Sequence, residues 1–151
     1  SPSEIEKFKI QKGDVIITKD SESANDIAVS TFVSEDLDNV VCGYHLALIR
    51  ADIGQILSEY MFRAFQSKEV SAYFEVEATG VTRVGLSMGE ITGVRINYPN
   101  SLKEQQEIVN YIKAETATID AAIAKTQKEI ELIKEYKEAL ISEAVTGKKI
   151  V

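Results

Sequence analysis

One cysteine, one histidine and no long apolar run mark this chain of 151 residues. A single cysteine, Cys42, builds neither a disulfide framework nor a zinc site. It reads as a small buried hydrophobe behind Val40-Val41, in a reducing cytoplasm. No stretch approaches the ~20 apolar residues that a membrane helix needs. The opening Ser1-Pro2-Ser3-Glu4-Ile5-Glu6 has no basic start and no apolar core, so no signal peptide is expected. Positive charge is also scarce. The net charge is -7, which argues against nucleic-acid binding driven by total charge. The first hundred residues carry 15 acidic and 9 basic groups and the remainder 9 and 8, so the deficit lies in the first part. Any contact with DNA must come from a local face, with partners supplying much of the phosphate neutralisation.

What is present is an ordinary globular composition, 44% hydrophobic and 27% charged, too apolar for disorder. Residues 1–100 mix short strands and helices. Lys12-Gly13-Asp14 is a turn, and the β-branched Val15-Ile16-Ile17-Thr18 reads as a buried strand. Ser21 to Asp26 is a polar loop. Alternation at Ile27, Val29 and Thr31 predicts a second strand, and His45 to Arg50 a third. Asp52 with Gln55 predicts the cap of a helix whose apolar face is Ile53, Ile56, Leu57, Tyr60, Met61 and Phe65. Val70 to Ala78 fits strand and helix periods equally. Thr79-Gly80 breaks the element. Ser87 and Glu90 read as a capping box, and Val94-Arg95-Ile96-Asn97 as a last strand closed by Pro99.

From Ser101 the pattern changes. Ser101 and Glu104 form another capping box, no proline follows, and the only later glycine is Gly147. A heptad holds Ile112, Ile119, Thr126, Ile133 and Leu140 at one seam position and Thr116, Ile123, Ile130, Lys137 and Ala144 at the other. Residues 116–144 predict a helix on the order of 40 Å long. A domain of ~100 residues cannot cover such a seam along its whole length, so a partner helix is expected. Thr126 and Lys137 interrupt the seam, as polar residues that set register do. The competing arrangement is a helix folded back on its own domain.

The chain offers little for catalysis. His45 sits in an apolar strand pattern and reads as a structural histidine. Glu75 and Glu77 would share a face on a strand, as paired carboxylates for metal or acid–base work do, but would diverge on a helix. Thr146-Gly147-Lys148-Lys149 lacks the upstream glycine of a phosphate loop, Ser142 standing there, and reads as a helix C-cap with trailing lysines. No metal site, and no cofactor, is expected.

Taken in order, several segments resemble the specificity subunits of type I restriction–modification systems. Lys12-Gly13-Asp14-Val15-Ile16-Ile17-Thr18 is similar to their Gly-Asp strand. Gly43-Tyr44-His45-Leu46 with Arg50 resembles the approach to their middle helix, and Ala78-Thr79-Gly80 the turn before their last strands. Pro99, Glu104-Gln105, Ile108, Thr118-Ile119-Asp120, Ile123 and Lys125 resemble the start of their spacer helix. The run from Ile130 through Tyr136 and Leu140 to Thr146-Gly147-Lys148 is the most specific part. The chain departs in a reduced segment before the Gly-Asp strand and in Lys19, where arginine is often found.

The resemblance implies an α+β fold: a small mixed α/β target-recognition domain over 1–100, N-terminally truncated relative to the family, and a spacer helix over 101–151 that pairs as an antiparallel coiled coil. It implies a non-catalytic subunit that reads half of a bipartite double-stranded DNA target through the major groove. Its partners would be methyltransferase (modification) subunits, which use S-adenosylmethionine, and ATP-driven restriction subunits. The isolated chain would form a homodimer through Ile112, Ile119, Ile123, Thr126, Ile130, Ile133, Lys137, Leu140 and Ala144. The DNA face is expected at Lys19, Ser21, Ser23 and Asn25 in one loop and at Thr79, Thr82 and Arg83 in another, with Arg83 reading a base. Two other readings stay open: an α/β interaction module with a dimerising helix and no DNA role, and a small enzyme built on Glu75 and Glu77.

Overall fold

The computed structural model describes residues 2–148; Ser1 and the trailing Lys149, both named above, lie outside the described residues. Its elements run α1 (Pro2–Phe8), β1 (Val15–Thr18), β2 (Asp20–Ser21), a 3-10 turn (Ala24–Asp26), β3 (Ser30–Phe32), β4 (Leu46–Ile49), α2 (Ser58–Phe65), α3 (Lys68–Glu77), β5 (Val84–Gly85), α4 (Met88–Gly93) and α5 (Leu102–Val145). This is a mixed α/β arrangement followed by a long helix, as the sequence predicts. The chain divides into two compact units, with the boundary between Val109 and Asn110.

In the first unit β1 is the centre of an antiparallel sheet of order β3-β1-β4. Val15 lies opposite Phe32 and Ile49, and Ile17 opposite Ser30 and Ala47. β-Branched residues suit this central position because their stiff side chains pack well on a pleated surface. Val15 and Ile17 are fully buried, facing a core of Met61 and Phe65 from α2, Val70 and Phe74 from α3, and Leu86 and Ile91. Burying one such large apolar side chain contributes about 2–3 kcal/mol.

Two polar devices hold this unit together. Asp14, 1% exposed, receives a two-pronged bond from Arg50, Nε to Oδ1 at 2.7 Å and Nη2 to Oδ2 at 2.8 Å. The Gln11 N–H also donates to Asp14 Oδ2. The aspartate before β1 is therefore tied to the arginine after β4, and this accounts for both residue types. Gln105, fully buried in the first turns of α5, accepts from the Leu57 N–H and donates to the carbonyls of Gln55 and Pro99. It satisfies main-chain groups of two irregular segments that have no ladder of their own.

Several expectations need correction. Asp52 caps only a turn, through the Gly54 N–H and the Gln55 side chain. The helix starts six residues later at Ser58, and Ile53 is exposed rather than on its apolar face. The strand expected around Ile27 to Thr31 begins only at Ser30; Ile27 and Ala28 are core residues, with Ala28 at φ 55°. Val94 to Asn97 is not a strand: Val94 and Ile96 lean on the core from irregular chain. Cys42 is half-buried rather than buried, behind exposed Val40 and Val41. Burial, and then the Asp14 carboxylate, push its thiol pKa up, away from reactive thiolate. α1 is an element that the sequence pattern does not predict.

Val70 to Ala78 resolves as helix: α3 begins at Ser67, whose hydroxyl accepts from the Val70 N–H. The box at α4 forms, with the Glu90 carboxylate receiving the Ser87 N–H. Ser101 Oγ accepts from the Glu104 N–H at 3.3 Å at the start of α5.

The second unit is the remainder of α5 and its end. At about 1.5 Å per residue, the 44 residues of α5 extend about 66 Å. It stops in a Schellman arrangement, the Lys148 N–H on the Glu143 carbonyl and the Gly147 N–H on the Ala144 carbonyl. Gly147 supplies the φ of 70° which that turn requires. Among the described residues from Asn110 onward none is buried.

Candidate nucleic-acid interface

The two segments picked for DNA contact are far apart in sequence and adjacent in space. β2 and β5 pair antiparallel, Asp20 opposite Gly85 and Ser21 opposite Val84. Lys19 extends the connection: its N–H donates to the His45 carbonyl and its carbonyl accepts from the Leu86 N–H. Its backbone thus stitches the small sheet to the larger one. The result is a ridge where Lys19 and Ser21 lie beside Arg83 and Val84, with Thr79 and Thr82 in the loop leading into β5; Ser23 and Asn25 follow in the 3-10 turn, and Asn25 lines a separate cavity with Phe65, Gln66 and Glu75.

Each segment is shaped by its own local chemistry. Ser21 Oγ accepts from the Ser23 N–H, and Ser23 Oγ, the cap of the 3-10 turn, from the Asn25 N–H, so each hydroxyl keeps its own hydrogen to donate. Thr18 Oγ1 donates to the Asp26 carbonyl and closes the base of this loop. On the other side Thr79 and Gly85 exchange backbone bonds at 3.1 and 2.9 Å, pinching residues 80–84 into a tight loop. Gly80 makes that loop possible. At φ 143°, an added Cβ would fall 1.8 Å from the Arg83 carbonyl oxygen. Thr82 and Arg83 sit exposed at its tip.

Between the two segments lies Asp20, which no local sequence pattern marks. The Asp20 carboxylate accepts from Arg83 Nη2 at 2.5 Å and from His45 Nδ1 at 2.8 Å. The His45 bond, helped by the positive charge of Arg83, holds the Asp20 carboxyl below its ordinary pKa despite partial desolvation. The ring of Tyr44, 78% exposed, lies against the His45 ring with centroids 3.7 Å apart. His45 is a partnered side chain, as a structural histidine should be. Its partner was not legible, because Asp20 lies 25 residues away and Arg83 a further step, 63 residues from Asp20. Arg83, with its side chain 53% exposed, keeps most of its donors for a ligand.

The ridge is not a broad basic patch: Glu22 and Asp26 are exposed in the segment that follows Lys19, which is itself half-buried. It offers directed donors and acceptors at a few points. The alternative site does not assemble: Glu75 and Glu77 both lie on α3, about 200° apart around its axis, and both face solvent. Among the described residues, no group of three or more His, Cys, Asp or Glu side chains is placed to hold a metal.

The seam residues lie on α5 as predicted. Ile119, Ile123, Ile130, Ile133 and Leu140 are exposed, and Ile112 is half-buried. Thr126 Oγ1 donates back to the Ala122 carbonyl, which spends its hydroxyl within the helix. Lys137 and Ala144 are exposed as well.

The family model of the type I restriction modification DNA specificity domain matches residues 2–132. Among solved structures, the crystal structure of the S subunit of a type I restriction–modification system from M. genitalium is similar, with a TM-score of 0.61 at 17% identity. The match covers 91% of this chain and 34% of that one, so the present chain spans about a third of that subunit's length. At this identity the likeness is one of fold. No curated protein sequence matches the chain.

Proposed function

The chain belongs to the type I restriction modification DNA specificity family, and on that premise we propose that it reads one half of a bipartite DNA target through the ridge of β2 and β5. The observation that carries this reading is the ladder that joins Asp20 and Ser21 to Val84 and Gly85 and sets the exposed Arg83 beside it. Phosphate contacts from Lys19 and the loop hydroxyls would set register; Arg83 would address a base edge. With so few cations on the ridge, partner subunits contribute the rest of the phosphate neutralisation.

In this reading residues 1–100 recognise DNA and residues 101–151 form the spacer. The chain is a non-catalytic component that brings methyltransferase and restriction subunits to the target, in the cytoplasm where that DNA lies. The seam of α5 would take a second helix, antiparallel, and in the isolated chain a second copy would supply it. The exposed Ile119, Ile123, Ile130 and Ile133 support this, since soluble monomers rarely expose so long an apolar stripe.

The test is DNA binding by the enzyme assembled with its methyltransferase and restriction subunits. Arg83→Ala should cost about 1–3 kcal/mol at one base position, and Lys19→Ala should weaken all sequences about equally and reduce the salt slope. Unchanged affinity and site preference in both variants would place the DNA face elsewhere.

A further inference from the structure

The proposed reading face has a carboxylate at its centre, which by itself would repel phosphate. The geometry points to a use for it: we infer that Asp20 is the positioning residue for base reading, holding the Arg83 guanidinium in the orientation in which it meets a base. The inference rests on the ridge being the DNA face and adds to it the residue that sets how sharply one base pair is discriminated.

Three separate segments converge on this carboxylate. β2 supplies Asp20, the loop pinched by Thr79 and Gly85 supplies Arg83, and the start of β4 supplies His45. Ionised Asp20 only accepts, so His45 Nδ1 carries the hydrogen it shares with the two carboxylate oxygens, at 2.8 Å to each. That bond fixes the plane of the carboxylate from one side, and Tyr44 buttresses the imidazole. On the other side Oδ1 takes a single N–H from Arg83 Nη2.

The guanidinium has five N–H donors in a planar fork. One bond to Asp20 uses one donor and leaves a complete two-donor edge, the arrangement that matches O6 and N7 of guanine. A free arginine must give up rotamer entropy to reach that geometry, and one already held gives up less. Asp20 therefore sharpens the choice of base without touching DNA. Its own charge is balanced by the groups it holds, so it adds little repulsion.

The assembled enzyme is compared with its Asp20→Ala, Asp20→Asn, Arg83→Ala and Asp20→Ala/Arg83→Ala forms. Binding is measured to the target, to targets changed at each base pair in turn, and to unrelated DNA. Arg83→Ala should lower discrimination about tenfold at one base pair. Asp20→Ala should reproduce most of that loss at the same base pair, leave the others alone, and keep or raise affinity for unrelated DNA. In the Arg83→Ala background it should add nothing. Asp20→Asn keeps the side chain's shape but offers one acceptor oxygen to two donors, and should lose discrimination at the same base pair. It serves where Asp20→Ala fails to fold. If Arg83→Ala loses discrimination while the Asp20 variants keep it, the DNA face stands and the inference is overturned. If Arg83→Ala itself changes nothing, the reading of the face fails and the inference with it. An Asp20→Ala loss spread over all base pairs, or persisting without Arg83, shows a merely structural role and also overturns it.

Discussion

Replacing Gln105 by methionine isolates what a buried amide contributes where α5 begins. Methionine is unbranched and of similar length, so packing is largely kept. What is lost is the set of bonds to the Leu57 N–H at 2.8 Å, the Gln55 carbonyl at 3.0 Å and the Pro99 carbonyl at 2.7 Å. Three net hydrogen bonds at about 1 kcal/mol each give ~3 kcal/mol, and stranding a buried N–H adds about another 1. Apolar burial of the new thioether offsets about 1 kcal/mol of this. The expected cost is therefore about 3 kcal/mol, or a fall of about 12 °C in thermal midpoint for a folding unit of roughly 100 residues. Urea unfolding followed by circular dichroism, with an unchanged slope, measures it. Gln105→Glu should cost more than Gln105→Met at pH 7, because a carboxylate oxygen then faces two carbonyl oxygens. A Gln105→Met variant within about 0.5 kcal/mol of the parent would show that water or rearrangement satisfies these groups, and that the amide is not what joins the segments.

Two further outcomes are open to direct measurement. Ile130→Glu places an unpaired charge near the middle of the α5 seam and should convert a dimer of the isolated chain to monomer in sedimentation or light scattering at micromolar concentration; a parent chain that is already a folded monomer would refute the pairing. Hydrogen bonds from the Ser87 side chain and then its backbone hold Glu90 below its ordinary value of 4.5, and Asp20 is likewise depressed below 3.8. Groups with depressed folded-state pKa values stabilise fully above their unfolded values, and the contribution is lost as pH falls through the folded ones. Thermal midpoints should therefore hold from neutrality to about pH 5 and fall below about pH 4, and Glu90→Gln should flatten part of that acid limb; an identical limb in Glu90→Gln would remove Glu90 from the account.

Where a local cause suffices, the amino-acid sequence by itself determined the element. Val15 to Thr18 is a strand because four consecutive positions favour extended chain and burial. α4 follows from Ser87 and Glu90, and α5 from a heptad unbroken by glycine or proline until Gly147 ends it. The positions of the two loops were legible for the same reason: polar and glycine-bearing segments between apolar runs are surface chain. What only the tertiary structure decided are features that need a distant partner. Val94 to Asn97 has strand composition but pairs with no strand among the described residues and stays irregular. Asp52 has capping chemistry but governs a turn, and α2 waits until Ser58, where Gln105 from far along the chain takes the Leu57 N–H. Asp14 and Arg50 are ordinary charged residues in sequence; a buried two-pronged bond makes them a fixture of the fold. The ridge has the same origin. Lys19 and Arg83 could be named one at a time, but the β2–β5 ladder and the Asp20 carboxylate between Arg83 and His45 exist only once the chain has closed, because hydrogen bonds across 25 and 63 residues leave no periodic trace in sequence.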